Sequence, residues 1–248
     1  MNFPLPVVRG LMKRRLLLNY RVRPDVLAAL LPAPFQPKLI GGWGIAGICL
    51  IRLEQLRPRG LPVAVGLASE NVALRIAVKW REGDVNREGV FVPLRLTDSR
   101  FNSLAGGRLF PGVHQRAHFW TAQSTNCIKI EVRDPAGNVT IRVAARTHET
   151  APAGSLLAEL ADAADFFRSG SCGWSPGLRG GSFDGLRLHA TDWRLEPLMV
   201  EHLTAPWFAD EDRFPRDSIE FDSAFLMQNI EHEWQTLPPW HTGERAAA

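Results

Sequence analysis

Apolar and polar positions alternate with a period of two along much of the chain, and that pattern predicts strands. The clearest run is Ser69 to Trp80. In an extended chain Glu70, Val72, Leu74, Ile76, Val78 and Trp80 share one face, and Ser69, Asn71, Ala73, Arg75, Ala77 and Lys79 share the other. Glu70 is therefore a carboxylate at the end of an apolar face. Trp43 to Leu53 is apolar on both faces, which predicts a strand covered on both sides. Arg15 to Arg23, Gly89 to Leu96 and the closing segment Ser218 to Trp234 read as further strands, and Leu186 to Trp193 with Leu198 to Leu203 as another strand pair. Ser124 to Arg133 and Val139 to Arg146 flank Asp134-Pro135-Ala136-Gly137-Asn138, a hairpin signal.

Helical signals are fewer. Pro24 opens a short helix over Val26 to Leu31, which Pro32 and Pro34 end. Asp98 or Ser99 can cap a second helix, along which Phe101, Leu104, Ala105 and Leu109 form an apolar stripe and Pro111-Gly112 supply the stop. Ser155 is placed to cap a third, running to about Phe167. Between these elements Glu82 to Glu88 reads as a polar turn and the Gly- and Ser-rich stretch Arg168 to Gly185 as a long loop. The tail from His241 to Ala248 is expected to be disordered. No composition break or linker divides the chain, so residues 1–248 are read as one α+β domain, mostly antiparallel β.

After Gly112 a strand is expected from Val113 to Trp120. It would place Val113, Gln115, Ala117 and Phe119 on one face and His114, Arg116 and His118 on the other. Gln115 then becomes the one polar group on an apolar face, and a buried amide needs a structural or functional reason to be there. Glu70 and Gln115 are thus two polar groups that strands present inward, expected to approach each other inside a cavity. The bland alternative is that backbone or water satisfies both.

The segment Gly107-Arg108-Leu109-Phe110-Pro111-Gly112-Val113-His114-Gln115-Arg116 resembles the heart of the acetoacetate decarboxylase superfamily, whose pattern is roughly G-R-x-x-W/F-G-x-P-K-K. The Gly-Arg and the later Gly match, while His114 stands for the Pro and Gln115 and Arg116 for the two lysines. The pieces RPDVLAALLP, LIRLEQLRPRGLP, ASENVALRIAVK and DSAFLMQNIEHEW, taken in order, are similar to the DUF2071 (YqjF-like) branch. This resemblance implies a curved, cone-like or barrel-like sheet with a few short helices around an internal pocket, and a homo-oligomer. It also implies that Glu70 matches the pocket glutamate. In the decarboxylases the first lysine forms a Schiff base, its pKa depressed by desolvation and a neighbouring cation. Gln115 cannot form an imine, and Arg116 keeps the cation without being a nucleophile. Lys79 and Lys129 lie on the more polar faces of their strands and read as solvent-exposed.

Composition narrows the alternatives. The hydrophobic content of 45% is ample for a core. Three cysteines without close pairing argue against a disulfide framework or a four-Cys zinc site and fit a reducing cytoplasm. The net charge of +3 is scattered, apart from Lys13-Arg14-Arg15, which reads as a solvated strand or turn end. Nothing recommends a nucleic-acid partner. The first ten residues lack the long apolar run of a signal peptide, and no stretch suits a transmembrane helix. His114 and His118 on one strand face would stand about 13 Å apart, too far to share a metal ion. No motif calls for a cofactor or metal. The expected site is Glu70, Gln115 and Arg116, in an enzyme of lyase-like chemistry or a non-catalytic binding module, with a small carbonyl- or carboxylate-type molecule as partner. Burial is expected to raise the pKa of Glu70.

Overall fold

The alternating runs become long strands because each has an apolar face to bury, and several have two. The computed structural model describes residues 7–107 and 111–241. In chain order the elements are β1 (Val8–Val22), α1 (Pro24–Leu30), β2 (Gln36–Pro37), β3 (Leu39–Ile40), β4 (Trp43–Pro58), β5 (Leu67–Glu82), β6 (Val85–Thr97) and α2 (Arg100–Ala105). There follow β7 (Gln115–Arg116), β8 (His118–Gln123), β9 (Cys127–Arg133), β10 (Val139–Thr147), α3 (Leu160–Ser169), β11 (Cys172–Pro176), β12 (Ser182–Ala190), β13 (Glu196–Thr204) and β14 (Ile219–His241). Pairings run β1-β4-β5-β6-β11-β12-β14, and β14 pairs again with β1. The sheet is thus curved and barrel-like, with β13-β10-β9-β8 branching from β14. Most pairs are antiparallel; β6 accepts β11 and β7 in parallel. No helix among the described residues is long and apolar enough to cross a membrane.

Two apolar layers explain the strands that are greasy on both sides. Leu16 and Leu18, Ile48 and Leu50, and Val72, Leu74 and Ile76 point into an inner cluster to which both the ring and the branch contribute. Leu17, Cys49, Ala77, Phe225 and Met227 point outward beneath Ala163, Phe166 and Phe167 of α3. β1 and β4 approach closely at Gly47, where a Cβ would stand 2.2 Å from the Leu18 carbonyl oxygen. Ser99 caps α2, its hydroxyl accepting from the Asn102 N–H.

Several expected boundaries move, and one expected pair does not form: β12 pairs with β11 and β14, and β13 with β10 and β14, because β14 lies between them. The 82–88 turn shrinks to Gly83-Asp84, because Glu82 already pairs with Val85. Ser155 does not cap α3. Buried Asp222 accepts from its hydroxyl at 2.8 Å and from the Leu156 N–H at 2.9 Å, and the helix begins only at Leu160. The 168–185 stretch is not a long loop but contains the hairpin β11–β12. Its Gly185 makes room rather than a turn: a Cβ there would lie 2.7 Å from the Trp174 ring. The closing segment is one 23-residue strand, bent at Asn229 with φ of 54°. Leu109 and residues 242–248 of the tail lie outside the described residues.

On the outer side of β14, His232 is 3% exposed and neither ring nitrogen has a well-formed hydrogen bond. Burial lowers its pKa to about 4, outweighing the weak pull of the Ile230 and Gly10 backbone. The unfolded chain therefore binds this proton more readily, and stability falls as the pH drops from about 6.5 towards 4. The loss expected is on the order of 3 kcal/mol. Urea unfolding of the wild type and His232→Leu at pH 7 and pH 4.5 checks this: the variant should lose much less on acidification, and equal losses would refute the assignment.

Candidate functional site

Strand register brings together side chains that are far apart in sequence. Gln228 of β14 faces Arg14 of β1, Arg14 faces Arg52 of β4, and Arg52 faces Glu70 of β5. Paired residues project to the same side of a sheet, so the four form one row across it. The row lies at the end of the inner apolar stripes: Arg14 follows the parity of Leu16 and Leu18, Arg52 that of Ile48 and Leu50, and Glu70 that of Val72 and Leu74.

Arg14 Nη2 donates to Glu70 Oε2 at 2.7 Å, and the two side chains are only 5% and 12% exposed. Burying both charges costs heavily, and mutual attraction repays this only with good geometry. Burial raises the pKa of Glu70, while Arg14 and then Arg52 oppose the shift and Asp98 adds to it. Half-buried Arg52 also reaches Glu54 Oε1 at 3.3 Å. Gln123 of β8 donates to Gln228 Oε1 at 3.1 Å and ties the branch sheet to the row. A carboxyl that gains a proton readily, beside guanidinium N–H donors, can bind a carbonyl or carboxylate oxygen or pass a proton to it.

The expected site residues land differently. Glu70 is inward and mostly buried. Its N–H donates to Asp98 Oδ1 at 2.9 Å and its carbonyl accepts from the Asp98 N–H at 3.1 Å. Arg116 Nη1 donates to the carbonyl of Asp98, the residue that also bonds the Glu70 backbone. Gln115 is exposed, not a buried amide. It pairs with Leu96, which pairs with Val72, so it shares the sheet face of Glu70, but no hydrogen bond joins the two. The expected strand from Val113 to Trp120 breaks at Ala117: β7 is two residues beside β6, and β8 departs into the branch. Alternation cannot run through such a break, and Val113, beside Gln115, is exposed too.

His114 is half-buried, its pKa lowered to about 4 by burial and by Arg95. Lys79 and Lys129 are exposed. Lys13 donates to Asn229, and Lys38 pairs with Glu88 at 2.5 Å. Two surface hollows, of about 380 and 480 Å³, lie elsewhere, lined by residues such as Trp193 and His189 or by Thr147 to Thr150.

Arg14 and Arg52 went unrecognised in the sequence. Their signal was present: each ends an every-second-residue stripe, as Glu70 does.

A profile of DUF2071, described as an uncharacterized conserved protein, matches residues 12–175, about two thirds of the chain. A search of curated proteins found no match. Among solved structures the chain is similar to acetoacetate decarboxylase from Legionella pneumophila, with 12% identity, a TM-score of 0.62 and coverage of 97% of this chain and 91% of that one. An acetoacetate decarboxylase-like enzyme from Sphingomonas wittichii matches at 16% identity and TM-score 0.61, covering 97% and 94%. The enduracididine biosynthesis enzyme MppR, complexed with pyruvate, matches at 10% identity and TM-score 0.62, covering 97% and 91%. The fold is therefore acetoacetate decarboxylase-like.

Removing Arg14 isolates the buried carboxylate. Arg14→Met should raise the Glu70 pKa further, read by carboxyl-carbon NMR titration. Its stability cost should be about 3 kcal/mol at pH 8, where Glu70 is charged, and smaller at pH 5, since a raised pKa lets the carboxyl take up a proton as the pH falls. An equal cost at both pH values, or a fall in the pKa, would contradict the pairing.

Proposed function

We propose that this chain, which belongs to the DUF2071 family, binds or transforms a small carbonyl- or carboxylate-bearing molecule at the inner row, without a Schiff-base lysine. The observation that carries the reading is Glu70, an inward carboxyl with a raised pKa at the end of a row that holds two arginines on the inner face. In this reading Glu70 is the acid/base or anchoring group and Arg52 meets the ligand's oxygen. Gln115 offers its amide from the same face, and Arg116 is a positioning residue that acts through Asp98. That an enzyme of this fold is described in complex with pyruvate supports the ligand class. The lysines support the absence of imine chemistry, since Lys79 and Lys129 are exposed and Lys13 and Lys38 are engaged elsewhere. The reading includes a cytoplasmic location, a homo-oligomer and no nucleic-acid or membrane partner. A non-catalytic binding module uses the same residues and differs only in lacking turnover.

Saturation-transfer NMR with pyruvate tests binding. Signal is expected with the wild type and should drop at least about tenfold in affinity for Arg52→Met, the loss of one charge-assisted contact. Borohydride added with pyruvate or acetoacetate should trap nothing on the wild type. A wild-type adduct on any lysine, or binding indifferent to both Arg52→Met and Glu70→Gln, would overturn the proposal. Conversion of the ligand over the same time course separates enzyme from binder.

A further inference from the structure

The outer face of the same strands holds a second charged cluster, independent of the row just described. Arg15 Nη2 lies 3.7 Å from Cys49 Sγ, and its Nη1 lies 3.9 Å from Met227 Sδ. The Arg15 guanidinium also stands 5.7 Å from the centre of the Trp193 ring. Arg75, 4% exposed, lies over the Phe167 ring at 4.9 Å, donates to Asn19 Oδ1 at 2.5 Å and is close enough to Cys49 for the two to act on each other electrostatically. Arg95 falls in register with Ala73, which falls in register with Cys49, so a third cation shares this face. The Nε groups of Arg15 and Arg75 are buried without a hydrogen-bond partner. Among the described residues no carboxylate pairs with Arg15 or Arg75. Asp222 reaches Arg75 only through Ser223 and Asn19, and Asp184 acts on Arg95. His232, whose burial favours the neutral form, adds no negative charge here. Buried cations without an anion are costly.

We infer that Cys49 supplies that anion: a thiolate held between Arg15 and Arg75, and a modification site for oxidants as small as hydrogen peroxide. Burial pushes the Cys49 thiol up, but Arg75 and Arg15 together outweigh it and hold the thiol below its ordinary value. Cys172, also buried, is pushed up instead, because burial there meets weaker opposition. At 3% exposure Cys49 admits only small reagents. The thiolate sulfur attacks one peroxide oxygen, the S–O bond forms as the O–O bond breaks, and the departing hydroxide takes up the proton that the thiol gave to the solvent on ionising. The sulfur is oxidised by two electrons to sulfenic acid and the peroxide is reduced to water.

The test is a brief peroxide pulse on the full chain at pH 7, catalase quenching, unfolding in dimedone and peptide mass spectrometry. Cys49 should be labelled ahead of half-buried Cys127 and of Cys172. An ordinary thiol is only a few per cent ionised at pH 7, and a lowered pKa costs some nucleophilicity. Arg15→Met should therefore slow Cys49 labelling roughly fivefold at pH 7, with the gap closing by about pH 9.5. Labelling of Cys127 first, or an Arg15→Met profile unchanged with pH, would overturn the inference. Should Arg15→Met fail to fold, thiolate absorbance near 240 nm decides: at pH 7 it must be present in the wild type and absent in Cys49→Ser, and no difference between them refutes the thiolate.

Discussion

Because β14 pairs with β1 along nearly all of β1, the ring of strands has no free edge there, and every side chain on it faces either inward or outward. β1 is paired on both sides, with β4 and with β14. Its Leu16, Leu17 and Leu18 are all buried, two in the inner cluster and one in the outer. Next to these leucines a charged residue cannot turn to solvent without breaking the alternation that buries its neighbours. Arg14 and Arg15 follow from this constraint: adjacent in sequence, they are delivered to opposite faces, and each must find its counter-group across the sheet.

On the inner face the counter-group is a carboxylate, and the outcome is an ion pair whose acid keeps a raised pKa. On the outer face the structure offers aromatic rings, thioether sulfur and a thiol instead. The two faces of one sheet thus solve the same problem, a guanidinium out of water, with different chemistry. Neither solution is the cheapest for stability, since apolar residues of similar volume would do as well or better. That is the physical ground on which both clusters are proposed as functional.

Much of the fold could be read from the sequence. The faces of Ser69 to Trp80 come out as alternation predicts, because β5 is paired along its length, and the two-sided burial of Trp43 to Leu53 follows from the two apolar layers. The family resemblance is matched by the profile and by the fold. Glu70 was legible as a carboxylate closing an apolar stripe. Arg14 was not, because a basic triplet looks like a solvated end until register places it between two strands. Gln115 misled for a related reason: periodicity assumes an unbroken strand, and the break at Ala117 lies in tertiary pairing. Glycine misled at 185, where it relieves contact with Trp174 rather than marking a loop.

The account stands on the inner row being the place where a ligand meets this protein. A crystal structure of the protein soaked with pyruvate tests that most directly. The account predicts ligand density on the inner face, an oxygen within hydrogen-bond distance of Glu70 or Arg52, and no covalent link to a lysine. Density confined to another place, such as the hollow beside His189 and Trp193, with the Arg14–Glu70 row untouched, would contradict it.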